Sequence, residues 1–396
     1  MTTAVIVDAV RSASGKGKPG GALSGTHPVA LLGDVLRQLV ERNGLDPALV
    51  DDVITGCVSQ GGDQALNIAR SALLAAGFPE SVPGTTVDRQ CGSSQQAAHF
   101  AAQGVIAGAY DIAIAAGVES MSRVPMGFTA QGRNPFEPLA ERYPDGLIPQ
   151  GYSAELIAAR WKFDREELDA FSARSHRLAA EAAAAGAFDR EIVPITVTGP
   201  DGSAYEHHVD ETVRASTTPE GLAGLKPAFV HEAMGARFPE IDWRITPGNS
   251  SPLTDGASAV LIMSEEKANA LGLTPRARFH AFAVTGDDPL LMLTGVIPAT
   301  RRVLERGGLG IDDIDAFEVN EAFAPVPLAW AKDTGADLAK TNIRGGAIAL
   351  GHPLGASGGR LMATLLGVLE ATGGRYGLQT MCEGGGMANA TIIERL

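Results

Sequence analysis

The feature of this sequence that most limits its possible folds is the alternation of short apolar segments with longer amphipathic ones. In the first part of the chain, four apolar segments predict strands: residues 3–10, 53–58, 84–89 and 110–116. Three segments between them predict helices: residues 28–43, 67–76 and 93–109. Strands separated by helices favour parallel pairing, with helices on both faces of the sheet. The chain is therefore predicted to be an α/β protein.

The alternation breaks over residues 119–248, where turn-rich stretches surround one predicted helical block at residues 153–186. An excursion of this length is typical of a lid or an inserted subdomain. Beyond it, four apolar segments restore the pattern: residues 259–263, 277–284, 315–319 and 376–381.

The two α/β regions resemble each other. Residues 41–45 and 305–309 share the pattern Glu-Arg-x-Gly-Leu, and each precedes an acidic turn and a predicted strand. Cys91 stands before a small-residue helix in the first region, and His352 stands before a similar helix in the second. We interpret these matches as an internal duplication.

Composition and charge exclude several classes of function. The chain has 32 Lys and Arg against 46 Asp and Glu, and its net charge of −14 disfavours a nucleic-acid-binding surface. No apolar run is long enough to span a membrane. Three cysteines are too few for a disulfide framework, and the chain begins without the features of a signal peptide. We therefore expect a cytoplasmic protein.

Two motifs that could indicate a cofactor or a metal fail in their context. Residues 15–20 match the glycine pattern of a dinucleotide-binding loop, but a proline and further glycines stand where a helix should begin. His207 and His208 lack the spacing of a zinc site, and no cysteine pair accompanies them. We predict neither a metal nor a resident cofactor.

Cys91 is a candidate nucleophile, because it lies where a predicted strand turns into a helix. Free backbone N–H groups and the helix dipole at such a position favour the thiolate, the reactive form of cysteine. A cysteine in an alanine-rich segment is, however, more commonly a small core residue. Cys57, inside a predicted strand, is interpreted as a core residue.

Three further blocks contain candidate residues. Cys382 precedes three consecutive glycines, whose backbone N–H groups can approach a ligand closely. His352 lies in a glycine-rich run, where a structural turn is the alternative interpretation. Asn320 follows a predicted strand, at the edge where open α/β sheets bind ligands.

Together these blocks resemble the thiolase family, the acetyl-CoA acyltransferases, along essentially the whole chain. The matching motifs are AVR at 9–11, CGS at 91–93, ESMS at 119–122, LKPAF at 225–229, NSS at 249–251, TDGA at 254–257, NEAFA at 320–324, GHPLGASG at 351–358 and CEGGG at 382–386. The blocks around Cys91, Asn320, His352 and Cys382 correspond to the family's catalytic blocks, in the same order.

The resemblance implies two similar βαβαβαββ halves stacked in five layers (α-β-α-β-α), with a loop domain inserted in the first half. It places the N-terminal half at residues 1–118 and 249–270, the inserted domain at 119–248 and the C-terminal half at 271–396. Family members are usually homodimers or homotetramers, so we expect a homo-oligomer.

The resemblance also implies the reaction, which is the thiolytic cleavage of a 3-ketoacyl-CoA by CoA, as in fatty-acid β-oxidation, or the reverse Claisen condensation. Cys91 would form the acyl-thioester, His352 would take its proton, and Cys382 would serve as acid or base for the carbon leaving group. One oxyanion hole would use His352 and a water held by Asn320. The other would use the backbone N–H groups of Cys91 and Gly384.

CoA enters this reaction as a substrate, and the resemblance suggests its contacts. Arg214 matches the family arginine beside the nucleotide phosphates, and Ser251 matches the serine near the pantetheine. Lys226 and Phe323 are further candidates for substrate binding. For Arg214, a surface position in a loop is the alternative.

One departure from the family pattern bears on the acyl group. Short-chain biosynthetic members carry a His-Met pair just before the helix predicted to begin near Ser153, whereas this chain has Pro149 and Gln150. Together with residues 123–126, this favours the degradative branch and a bulkier acyl group, such as a fatty or steroid side chain. An acetoacetyl-CoA-forming biosynthetic thiolase stays an alternative.

Other classes fit the sequence less well. A ketosynthase lacks a second catalytic cysteine before a glycine run, so Cys382 argues against it. A sterol carrier protein-type thiolase would have a His-containing block at the position of Asn320. Retention of all four candidate blocks disfavours a non-catalytic CoA-binding subunit of a β-oxidation complex.

Overall fold

The computed structural model describes residues 2–199 and 201–396. Its strands are β1 (Ala4–Ser12), β2 (Gly15–Lys16), β3 (Asp52–Gly56), β4 (Gly84–Val87), β5 (Ile112–Ser120), β6 (Ile192–Val193), β7 (Ile195–Thr198), β8 (Ala204–His207), β9 (Thr254–Ser264), β10 (Ala277–Gly286), β11 (Ala316–Val319), β12 (Tyr376–Glu383) and β13 (Met387–Arg395). Its helices are α1 (Pro28–Arg42), α2 (Ile68–Ala75), α3 (Ser93–Ile106), α4 (Gln150–Trp161), α5 (Arg165–Ala184), α6 (Pro219–Ala223), α7 (Glu232–Arg237), α8 (Glu265–Ala270), α9 (Val296–Gly307), α10 (Pro325–Thr334), α11 (Ala347–Leu350) and α12 (Ser357–Thr372).

The strands form two equivalent sets, which confirms the predicted duplication. The first has the order β4-β3-β5-β9-β1, and the second has the order β11-β12-β13-β10. In the second set, Thr341 bridges Phe317 of β11 in the place that β4 takes beside β3. A short antiparallel contact between Ile6 of β1 and Ala277 of β10 joins the two sets edge to edge.

The pairing within each set is mixed, whereas the sequence predicted parallel pairing. β3 pairs parallel with β4 and β5, and β11 pairs parallel with β12. β9 and β13, however, run antiparallel to both of their neighbours. The physical reason is clearest for β13, which follows β12 through a tight turn and without a crossover helix.

Three large apolar cores hold together five layers, in the order α-β-α-β-α. The middle core covers both faces of the central helical layer. The first core packs α1 and α2 on the N-terminal strands, and another packs α9 and α10 on the C-terminal strands. The middle core holds α3 and α12 between the two sets of strands. Small residues allow this close packing, since a Cβ at Gly358 of α12 would collide with the backbone of Gln95 in α3. The predicted five-layered fold is confirmed.

The long helix predicted for residues 153–186 is two helices, α4 and α5. Lys162 ends α4 in the left-handed region, with φ of 62°. Asp164 then starts α5 with a capping box, in which its side chain accepts from the Glu167 backbone and the Glu167 side chain accepts in return. One helical block was predicted from the sequence because the helical periodicity continues through both segments.

Residues 121–253 connect β5 to β9 and contain α4 to α7 and the two-stranded ribbon of β7 and β8. A buried ionic cluster ties this insertion to β1, because Arg11 contacts Asp210 at 2.7 and 2.9 Å and Glu191 at 2.7 Å. The three-part division with boundaries at 118, 248 and 270 stays a prediction. Within residues 2–199 and 201–396, no helix is long and apolar enough to cross a membrane.

Candidate active site

Cys91 lies in the turn between β4 and α3, as the sequence predicted. Gln90 adopts a left-handed conformation, with φ of 47°, and this turns the chain into the helix. Gly92 follows at a point where a Cβ would collide with the Glu383 carboxylate. The Cys91 side chain is buried, with 4% exposed.

Three segments meet around Cys91, and two of them carry Cys382 and His352. Cys91 belongs to a small apolar cluster with Met381, the neighbour of Cys382, and with Leu354, which lies two positions after His352. Cys382 is the penultimate residue of β12 and is fully buried. The site is thus built between the N-terminus of α3, the loop before α12 and the end of β12.

The His352 ring is held at both nitrogens. Nδ1 lies 2.6 Å from the Ser357 hydroxyl oxygen, which lies 2.8 Å from the Pro353 carbonyl oxygen. Because a carbonyl oxygen can only accept, the Ser357 proton is used there, and the Nδ1–H of His352 donates to Ser357. Nε2 is therefore the unprotonated nitrogen, and the Asn320 amide nitrogen donates to it at 3.3 Å. His352 is a neutral imidazole with its basic nitrogen beside Asn320.

Asn320 lies just after β11, where the sequence placed it. Its backbone N–H donates to the Thr380 carbonyl at 3.1 Å, which fixes it against β12. Its Oδ1 atom is buried and has no hydrogen-bond partner among the described residues. A buried amide oxygen left free in this way is suited to a water molecule or a substrate group.

The two thiols and the imidazole are uncharged in the resting site. Burial and the neighbouring Glu383 raise the pKa of Cys91 to about 12. Burial, together with the Cys91 thiol, raises the pKa of Cys382 well above its ordinary value. Burial near Arg360 lowers the pKa of His352 to about 3. The helix N-terminus favours the thiolate of Cys91, as the sequence indicated, but the loss of solvation outweighs this effect and the pKa of the thiol rises.

Glu119 connects the loops that carry the site, and sequence reasoning gave it no role. Its buried carboxylate accepts from the backbone N–H groups of Val58 and Ser59 at 3.0 Å, and from Gln64 at 2.9 Å. It also accepts from Gly355 at 2.9 Å, in the loop that contains His352. The sequence did contain a signal for this role, because Glu119 is a carboxylate at the end of an apolar strand.

Gly384 lies at the mouth of an apolar cavity of about 540 Å³. The cavity is lined by the insertion, by the segment after β10 and by the two turns beside the cysteines: Gln90, Phe136, Leu147, Ile148, Pro149, Gln150, Pro289, Met292, Gly384 and Gly385. The Gln150 amide also lies beside the Cys91 thiol and acts to lower its pKa, against the effect of burial. Pro149 and Gln150, where the sequence departs from the short-chain pattern, thus both line the cavity, and Gln150 also lies beside Cys91.

The four candidates for CoA contact divide into two pairs. Ser251 donates from its backbone N–H and its hydroxyl to the Ala322 carbonyl, at 3.0 and 3.1 Å, so it lies next to Phe323 and the Asn320 block. Arg214 and Lys226 are exposed on the insertion. Among the described residues, no three His, Cys, Asp or Glu side chains gather as they would around a metal ion.

A larger cleft of about 600 Å³ lies elsewhere and contains none of the candidate residues. It is polar, and its charged groups are largely paired with each other, as in the contacts of Arg276 with Asp8 and Glu370. The apolar cavity beside Cys91 is therefore the candidate substrate site.

A duplicated five-layered fold with two buried thiols and a neutral imidazole at one site is suited to transfer of an acyl group through a cysteine. Residues 4–266 match the protein family described as "Thiolase, N-terminal domain". Residues 273–395 match the family described as "Thiolase, C-terminal domain". The chain belongs to the thiolase family, as its motifs predicted.

Individual relatives are similar to this chain over its full length. The chain is 51% identical to a steroid 3-ketoacyl-CoA thiolase of Mycobacterium tuberculosis, covering 100% of this chain and 95% of the relative. It is 45% identical to a 3-ketoacyl-CoA thiolase of Aliivibrio salmonicida, with 100% of both chains covered. The crystal structure of the Bacillus anthracis acetyl-CoA acetyltransferase superposes with a TM-score of 0.90 at 40% identity, covering 100% of this chain and 99% of that one.

Proposed function

We propose that the protein is an acetyl-CoA C-acyltransferase that cleaves 3-ketoacyl-CoA with CoA, and that its acyl group is bulkier than acetyl. The observation that carries the proposal is the apolar cavity of about 540 Å³ that reaches Gly384 beside the two buried thiols. The names of the relatives, a steroid 3-ketoacyl-CoA thiolase and several 3-ketoacyl-CoA thiolases, support the same substrate class.

In the first half-reaction, His352 Nε2 takes the proton of the Cys91 thiol as the sulfur attacks the 3-keto carbon. The C2–C3 bond breaks, and its electron pair stays on C2 of the acetyl-CoA fragment. Cys382 gives its proton to that carbon, so acetyl-CoA leaves and the acyl group remains on Cys91 as a thioester. The neutral state of all three groups supports these assignments.

In the second half-reaction, the thiol of CoA attacks the acyl-thioester and its proton goes to the Cys382 thiolate. The imidazolium of His352 returns its proton to the departing Cys91 sulfur, so each group ends as it began. Both attacks place negative charge on a carbonyl oxygen, which needs fixed donors. We assign these to a water held by Asn320 with His352, and to the backbone N–H groups of Cys91 and Gly384.

The chemistry of the cavity wall supports a bulky acyl group. Phe136, Ile148 and Met292 offer an apolar surface, and a site of a few hundred Å³ holds far more than a methyl group. Pro149 and Gln150 take the place of the His-Met pair of short-chain members. Burial of an apolar side chain contributes about 25 cal/mol per Å², so a larger acyl group binds more tightly here.

The test is kcat/KM for thiolysis of acetoacetyl-CoA, a medium-chain 3-ketoacyl-CoA and one with a polycyclic side chain. We expect kcat/KM to rise from the four-carbon substrate to the larger ones. Met292→Trp fills the cavity and should reduce kcat/KM for the larger substrates while sparing acetoacetyl-CoA. Leu271→Trp, at an exposed leucine outside the cavity, is the control. A clear optimum at four carbons would favour the biosynthetic alternative.

The CoA contacts and the assembly belong to the same proposal. Exposed basic side chains suit the nucleotide phosphates, so Arg214→Ala should raise the KM for CoA more than it lowers kcat. Lys226→Ala should act in the same direction. Ser251 and Phe323 lie nearer the catalytic block and fit the pantetheine part. Light scattering after gel filtration distinguishes a homodimer from a homotetramer.

A further inference from the structure

Glu383 is a buried carboxyl group for which the reaction described above has no use. It follows Cys382 on β12, and its side chain is 0% exposed. Neither of its oxygens has a hydrogen-bond partner in the part of the chain that the structure describes. An unpaired buried carboxyl group costs stability, so its presence beside a reactive centre requires an explanation.

The Glu383 carboxyl group lies directly under the turn that carries Cys91. Its Oε1 fills the space that a side chain at Gly92 would take, so it contacts the residue after Cys91. Asn389 of β13 completes this support, because its Nδ2 donates to the Gly92 carbonyl at 3.0 Å. Alternate residues of a strand face opposite sides, so Glu383 approaches the turn from the face of β12 opposite to Cys382.

The groups that could influence the ionisation of Glu383 lie before the Cys91 turn, on β13 and in α3. Asp88 and Arg89 precede the Cys91 turn, and among the described residues neither Arg89 Nε nor a Glu383 oxygen has a hydrogen-bond partner. Asn389 on the β13 side is uncharged. In α3, burial lowers the pKa of His99 to about 3, so this ring is neutral. The two thiols complete the set. Among the described residues, Arg89 is the cation that acts on Glu383, and neither oxygen of Glu383 accepts a hydrogen bond.

We propose that Glu383 is a positioning residue for Cys91, supporting the nucleophile turn as a neutral carboxyl and opposing the thiolate when it becomes a carboxylate. Burial raises the pKa of Glu383 from its ordinary 4.5 to about 8, although Arg89 acts in the opposite direction. At neutral pH the carboxyl group is mostly protonated and adds no charge beneath the sulfur. Above about pH 8 it ionises, and its negative charge disfavours a second negative charge on Cys91.

The proposal rests on the proposed function only in taking Cys91 as the nucleophile, and it can be tested without turnover. The rate at which iodoacetamide alkylates Cys91, followed by mass spectrometry of its peptide, reports the thiolate fraction. The variants are Glu383→Gln, which keeps the shape without the charge, and Glu383→Asp, which keeps the carboxyl group. Glu318→Gln is the matched control, because Glu318 is equally buried and burial raises its pKa to about 8 at a position outside this turn.

We expect the Glu383→Gln enzyme and the wild type to react equally at about pH 6.5, and the variant to react about tenfold faster at about pH 9.5. Glu383→Asp and Glu318→Gln should follow the wild type. A purely structural role would shift the Glu383→Gln rate by the same factor at every pH, and that result would overturn the proposal.

The wild-type profile is a second test, which does not depend on a variant folding. With Glu383 acting on Cys91, the alkylation rate rises less steeply above about pH 8 than a single thiol ionisation requires. A profile that fits one ionisation throughout would contradict the proposal. Failure of the proposed function is distinguishable, since it would leave thiolysis absent while the alkylation profile kept this shape.

Discussion

The connection from β5 to β9 and the connection from β12 to β13 occupy the same place in the two halves of the fold. The first runs over residues 121–253 and carries four helices and a two-stranded ribbon. The second is the turn of Gly384, Gly385 and Gly386. The long connection supplies part of the wall of the apolar cavity, and the short one contributes Gly384 and Gly385 to the same cavity.

The turns before α3 and α12 form a second equivalent pair, and they too have different roles. The first presents Cys91 and the second presents His352, so the proposed nucleophile and its proposed base come from matching places in duplicated halves. The fold thus places two helix N-termini at the candidate active site, one from each half. Neither half alone contains all of the candidate residues. Changes made at matched positions in the two halves should therefore have unequal effects.

The largest expected effect is the loss of Cys91. Cys91→Ala removes the atom that carries the acyl group, so kcat for thiolysis should fall by about 10⁴-fold or more. Cys57→Ala is the matched control, because Cys57 is an equally buried cysteine in the apolar core of the N-terminal half. It should keep activity within a few-fold. A Cys91→Ala enzyme with wild-type turnover would refute the assignment of the nucleophile.

The next largest effect tests the two connections. Gly386 has φ of 80°, and a Cβ there would lie 2.8 Å from the Pro289 Cα, so Gly386→Ala should lower the free energy of unfolding by about 3 kcal/mol. Gly146, in the insertion, has φ of 73° but open space around it, and Gly146→Ala should cost about 1 kcal/mol. Urea unfolding measures both. If both variants lost the same free energy of unfolding, the positive φ of each glycine would determine the loss, and the close contact of Gly386 with Pro289 would add nothing.

A smaller effect is expected at the first residues of α3 and α12, which are both serines. Ser357 accepts the Nδ1 proton of His352, so Ser357→Ala frees the imidazole to place that proton on Nε2, and kcat should fall about tenfold. The Ser93 hydroxyl instead donates to the Gln90 carbonyl at 2.6 Å and accepts from the Arg89 backbone. Ser93→Ala should therefore cost about 1 kcal/mol of stability, with a smaller effect on kcat. Reversed effects would contradict the tautomer assigned to His352.

Most of the fold was predictable because its signals are local. The helix predicted for residues 28–43 is α1, which begins with Pro28 and ends at the residue before Asn43. The antiparallel pairing of β9 and β13 was missed, because pairing direction depends on how the chain returns and leaves no periodicity in a strand. The break at Lys162 was missed because its left-handed conformation is set by the capping of Asp164 and by packing.

The candidate site was predictable as a set of residues but not as an electrostatic environment. Cys91, His352, Cys382 and Asn320 were identified from motif order; in the structure Asn320 contacts His352, and Cys91 lies near Cys382. The pKa of a buried thiol depends on groups distant in sequence, so the rise in the pKa of Cys91 could not be predicted from its place at a helix N-terminus. Ser357 lay inside a recognised motif, yet its contact with His352 becomes visible only in three dimensions.

The smallest expected effect compares the third residues of β3 and β11, which are Ile54 and Glu318. Ile54 packs in the middle apolar core, whereas Glu318 is buried near Arg360, and burial raises its pKa from 4.5 to about 8. The folded protein therefore holds a proton that the unfolded chain releases, so stability falls as pH rises from 4.5 to 8. Glu318→Gln removes this dependence without adding a charge.

The melting temperature of Glu318→Gln should thus equal that of the wild type near pH 4.5 and exceed it progressively up to about pH 8. Thermal unfolding followed by circular dichroism over this pH range measures the difference. Ile54→Val, a conservative change at the matching position, should shift the melting temperature by the same amount at every pH, because no proton is involved. A pH-independent shift in Glu318→Gln would show that Arg360 pairs with Glu318 strongly enough to keep it ionised in the fold.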